Sequence, residues 1–175
     1  TPTYNRAYCL ERAYSSLCRQ TSKVFEWLII DDGSSDNTKE LIDKWKVFTS
    51  KGNGGAGVIN NTKAVNIIGK AFVGAPNTVC TDSLIPIGPL EGEIEAQNVK
   101  KYMATKFLRF LIGILKVSQN IYQNVYKFVP MQDFTSQSDI DWSKSIPEID
   151  QQLYRKYNLS EDEINFIEKM IKPME

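Results

Sequence analysis

Apolar positions along this chain change their period several times, and each change predicts an element. Leu10, Ala13, Tyr14, Leu17 and Cys18 recur at helical spacing and define one apolar face. "VFEWLIID" follows as a short, nearly continuous apolar run, the pattern of a buried parallel strand. It ends in Asp31 and Asp32, where Gly33 permits a sharp turn and Ser35 or Asp36 can cap a following helix. That helix is expected to bury Leu41, Ile42 and Trp45. Beyond Lys44, "KVFTS" and "VNIIG" read as short strands joined by the turn "GNGGAG", and "FVGAPNTVCTDSLIPIG" as further extended structure.

From "EGEIEAQ" to "LIGILKV" the spacing predicts one long helix. Its buried face carries Val99, Met103, Phe107, Leu111 and Ile114 or Leu115. The chain closes on two helices. Pro147 suits the first turn of one, whose stripe is Ile149, Leu153 and Tyr157. Ser160 with Glu163 is a capping box for the other, which buries Ile164, Ile167, Met170 and Ile171. The pattern thus predicts an α/β fragment over 1–43, half of a doubly wound unit, joined to an α+β domain over 44–175 that ends in a helical hairpin.

Composition narrows the chemistry. Hydrophobic residues make up 42% and charged residues 24%, as in a soluble globular chain. The most apolar run, "FLRFLIGILKV", is too short for a membrane span and contains Arg109. With no signal peptide, the expected location is cytoplasmic. Histidine is absent, which removes Ser-His and Cys-His catalysis, and the three cysteines contain no CxxC pair that would suggest zinc. The first residue is threonine, so a fragment is one expectation, alongside processing or trimming.

The zero net charge is unevenly distributed. Residues 1–43 hold 5 basic and 7 acidic groups, 44–132 hold 11 and 4, and 133–175 hold 5 and 10. The middle stretch has no acid from Gln97 to Gln132. There Lys100, Lys101, Lys106 and Arg109 fall on the polar side of the long helix, with Asn120, Gln123 and Asn124 following. Basic groups interleaved with amides and aromatics suit phosphate contact and base-edge reading on double-stranded DNA. A solvated mixed surface is the plainer alternative.

Two resemblances attach to these residues. "PTYNR", followed about 25 residues later by "DDGSSDNT", resembles the nucleotide-binding start of the family 2 glycosyltransferases, which have the GT-A fold. The resemblance covers residues 1–46 and makes 1–43 a truncated GT-A, Rossmann-like half unit. It implies that Tyr4 and Asp32 contact the nucleotide base while Pro2 and Asp31 shape the site. It also implies a divalent metal and a UDP- or other nucleotide-sugar. That family's DxD metal motif has no clear counterpart, since the one such tripeptide, Asp139 to Asp141, follows no apolar strand.

The remainder resembles something else. "KWKVFTSKGNGGAG", "IIGKAFVGAPNTVCT" and the run from "TKFLRFLIG" to "IEKMIKPM" are similar to the C-terminal region of bacterial type II restriction-modification proteins, which carry an adenine-specific methyltransferase upstream. The [ND]PP[YF] motif of that methyltransferase is absent. The resemblance over 44–175 implies a non-catalytic DNA-recognition or scaffolding part, with S-adenosylmethionine and an upstream methyltransferase region belonging to the parent protein. The expectation is therefore a chimera joined near residues 43–47. It is a DNA-binding portion without catalytic residues, metal or cofactor of its own. The alternative is an incomplete glycosyltransferase.

Overall fold

The structure, a computed structural model, describes residues 2–3, 30–31, 42–52, 59, 63–78, 80, 83–116, 121 and 123–174. The expected first helix (Leu10 to Cys18), the "GNGGAG" turn and Leu41 lie outside them. What is described mixes sheet and helix, an α/β architecture.

Strands β1 (Pro2–Thr3) and β2 (Ile30–Asp31) pair in parallel, Pro2 opposite Ile30 and Thr3 opposite Asp31. A second sheet is antiparallel, with β3 (Trp45–Ser50) in the middle, β4 (Phe72–Gly74) on one side and β5 (Leu84–Leu90) on the other. Its register pairs Val47 with both Val73 and Ile87. A central strand is covered on both faces, and accordingly Lys46, Val47, Phe48 and Thr49 are all buried. Phe48 packs on Phe72 with ring centroids 5.4 Å apart. A Cβ on Gly74 would come within 2.2 Å of the Phe48 ring, so this close approach requires glycine.

Trp45 therefore opens a strand and does not close the expected helix; among the described residues just before it, Ile42 and Asp43 are helical. "VNIIG" forms no strand. Val65 makes an isolated parallel bridge to Ile171, and Ile67 and Ile68 are both buried where a half-exposed strand would alternate.

The expected long helix is two. Helix α1 (Glu93–Ala104) ends at Thr105, which is extended (φ −63°, ψ 147°), and α2 (Lys106–Leu115) starts after it. The Thr105 hydroxyl donates to the Tyr102 carbonyl and accepts from the Leu108 N–H, closing one helix and capping the next. The break changes the face of α2 that turns inward. Val99, Met103 and Phe107 are buried as expected, but Ile112 fills the core while Ile114 is 56% exposed. A four-residue turn of helix, α3, spans Gln123–Tyr126.

Helices α4 (Ile146–Lys156) and α5 (Glu161–Met170) form the expected terminal hairpin. The Ser160–Glu163 capping box is present, and a second, Ser145 with Glu148, starts α4. Ile149 and Leu153 are completely buried, each contributing roughly 1.5–3 kcal/mol. With Ile167 they meet Phe107, Leu108 and Ile112 of α2 and Val99 and Met103 of α1 in one core that also takes in Val47.

Candidate functional site

The two N-terminal motifs meet in the backbone. Parallel strands run in one direction, so the parallel pairing brings the carboxyl ends of β1 and β2 side by side, about 4.8 Å apart. The intervening residues, 4–29, give the length such a crossover needs. Pro2 and Asp31 lie on these strands; Tyr4 and Asp32, one residue further along each, fall outside the described residues. Carboxyl ends of parallel strands are where open α/β sheets receive ligands.

Three of the four basic residues expected to face DNA, Lys101, Lys106 and Arg109, are engaged within the fold. Lys100 is exposed, but Lys101 donates to the carbonyls of Trp142 and Lys144. Lys106 is ion-paired with Glu168 and also donates to its carbonyl. Arg109 is fully buried. Its Nε donates to the Ala104 and Thr105 carbonyls and its Nη1 to the Lys172 carbonyl at 2.7 Å. Burial lowers its pKa, with Asp150 opposing. Asn120 lies outside the described residues, and Gln123 and Asn124 lie on α3.

The "DID" tripeptide lines an open groove of about 810 Å³ beside α1. Asp139 is paired with Lys156 at 2.7 Å, and Asp141 accepts from the backbone and hydroxyl of Ser143. These bonds hold the Asp141 carboxyl below its usual range. Among the described residues no group of three or more His, Cys, Asp or Glu side chains could hold a metal ion.

Three buried polar features escape a reading of the sequence. Asp150 accepts from the backbone N–H groups of Lys106 and Phe107, at 3.0 and 2.9 Å, where α2 begins. Lys46, 1% exposed, donates to the carbonyls of Ile42, Ala75 and Thr78; burial lowers its pKa, against the pull of Cys80 and Asp43. The hydroxyls of Thr49 and Tyr126 are buried without a hydrogen bond of good geometry. Apart from the bond between Lys46 and Ile42, four residues away, the partners named here are distant in sequence, so no local pattern reports them.

Residues 1–69 match the family described as glycosyl transferase family 2. Among individual relatives, the validoxylamine A glucosyltransferase of Streptomyces hygroscopicus subsp. jinggangensis is 43% identical over 47 residues, 26% of this chain and 11% of the relative. Uncharacterized glycosyltransferases of Rickettsia conorii and Rickettsia felis are each 38% identical over 90 residues, 47% of this chain and 15% of theirs. The chain thus spans 11–15% of the length of these curated relatives. No solved structure matches it.

These matches correct the main functional expectation. All three relatives are glycosyltransferases, and the family match runs straight through residues 43–47, where a join to a restriction-modification segment was expected. The DNA-recognition or scaffolding reading is overturned. No described helix is long and apolar enough to cross a membrane.

Proposed function

We propose that this chain is part of a family 2 glycosyltransferase and that its N-terminal strands carry the nucleotide end of a nucleotide-sugar donor. The observation that supports this most is the parallel register of Pro2–Thr3 on Ile30–Asp31, inside the family match. In this reading residues 1–43 are the half unit of a GT-A-type fold, and the sequence from Lys44 onward continues the same protein. Tyr4 stacks on the base and Asp32 accepts a base N–H, which fixes the donor's orientation. Pro2 and Asp31 shape the strand ends beneath it. A divalent ion would offset the diphosphate charge in such a transfer. The described carboxylates do not supply its ligands, and no residue here is assigned to the bond-breaking step.

Titration of uridine diphosphate into the full chain, followed by saturation-transfer NMR, tests the assignment. Contact is expected at the base protons. Asp32→Ala is expected to weaken binding by about 10-fold or more, the worth of a hydrogen bond to a charged group. Tyr4→Ala should weaken it as well. The reading is overturned if no nucleoside diphosphate binds at millimolar concentration, or if both variants bind as the parent does.

A further inference from the structure

We propose that the open groove between α1 and residues 135–143 binds a neutral saccharide, giving the chain a hydroxyl-recognising surface outside its family match. The groove measures about 810 Å³, toward the upper end of the range for ligand sites. One wall is a face of α1 and the other the loop before α4, so it lies beyond the matched residues 1–69. The charge of its described lining decides which ligands it admits. Glu93, Asp139 and Asp141 bring three carboxylates against the one ammonium of Lys101. That ammonium already donates to the Trp142 and Lys144 carbonyls. Such a lining repels phosphates and other anions, so the diphosphate of a nucleotide does not suit it.

Ionised carboxylates only accept hydrogen bonds, so the ligand must bring donors, and hydroxyls do so without net charge. On α1, Glu93 and Gln97 are exposed and make no hydrogen bond among the described residues. The Gln97 amide both donates and accepts, as a hydroxyl does. Ile94, one helical turn before Gln97 and 76% exposed, offers an apolar contact to the C–H face of a sugar ring. The opposite wall is already fixed. Asp141 accepts from the N–H and hydroxyl of Ser143, and its own N–H donates to Gln152 Oε1 at 2.7 Å. The Trp142 indole N–H donates to the Asp133 carbonyl at 2.9 Å. A wall ordered before binding spares the complex the entropy of ordering it. The choice of a saccharide among neutral hydroxyl-rich molecules rests on the glycosyltransferase reading.

Cellobiose and maltose are the probes, with putrescine as a cationic comparison. Each is titrated into the full chain and followed by amide chemical-shift changes. Saturable shifts with at least one disaccharide are expected within residues 93–98 and 135–143. Gln97→Ala should weaken that binding roughly 2- to 10-fold, the worth of one neutral hydrogen bond. Ile94→Ser should weaken it as well, and both side chains are exposed, so the losses report contact with the ligand. No saturable binding of either disaccharide at millimolar concentration, shifts centred elsewhere, or unchanged affinity in both variants would each overturn the proposal. So would putrescine occupying the groove while the disaccharides do not. The probes carry no nucleotide, so their failure beside intact uridine diphosphate binding would sink this site and leave the donor assignment standing.

Discussion

Asp150 shows how much one buried carboxylate decides locally. It lies on α4, yet its two oxygens receive the first N–H groups of α2, tying the terminal hairpin to the middle of the chain. Arg109, Tyr154, Glu168 and Lys106 surround it. Burial raises its pKa to about 6; the two backbone N–H groups and Arg109 pull the other way, and Glu168 adds to the rise. A folded-state value above the unfolded one means that folding favours the protonated form. The corresponding stability is present below about pH 4 and is lost as pH rises through about 6. A shift of about 2 units corresponds to roughly 3 kcal/mol. Urea unfolding measured from pH 4 to 7 should therefore show declining stability across that window. Asp150→Asn, which cannot titrate, should flatten the decline. Equal pH slopes in the two proteins would refute the assignment.

At the scale of elements, what could be read in the sequence depended on whether the signal was local. The terminal hairpin was legible because Pro147, Ser160 and Glu163 act within a few residues of themselves. Strand β3 was legible as "KVFTS", a β-branched and aromatic run. The break at Thr105 was not, because helix formers flank it on both sides and no glycine or proline marks it. Arg109 looked like part of a polar face; its burial is fixed by the Lys172 carbonyl 63 residues away, which no local pattern reports. The motifs of the candidate site were legible, whereas the pairing of Pro2–Thr3 with Ile30–Asp31 was not, because a two-residue strand carries no period of its own. Thr105→Ala tests the break. It removes the cap on α2 and should cost about 0.5–2 kcal/mol in thermal or urea unfolding. Thr105→Ser retains the hydroxyl and should recover most of that loss. If serine is no better than alanine, the cap is not what the hydroxyl contributes.

At the scale of the whole molecule, the last residues join parts of the fold that are distant in sequence. Val65 and Ile171 form a parallel bridge, in which the Val65 N–H donates to the Met170 carbonyl and the Lys172 N–H to the Val65 carbonyl. Ile171 is 1% exposed. The Lys172 carbonyl is also the partner of Arg109 Nη1, on a guanidinium whose Nη2 already lacks a bond. Removing residues 171–175 would therefore do more than expose one isoleucine. It would strand a buried cation between α2 and the hairpin, and breaking the partnership of a buried charge typically costs about 3–5 kcal/mol. The truncated chain should unfold at markedly lower urea than the full one. Adding Arg109→Met to the truncation should restore part of the loss, because an apolar side chain of similar length needs no carbonyl there. Were the double change no more stable than the truncation alone, the penalty would lie in the lost isoleucine and strand bridge, and the role assigned to Arg109 would fail.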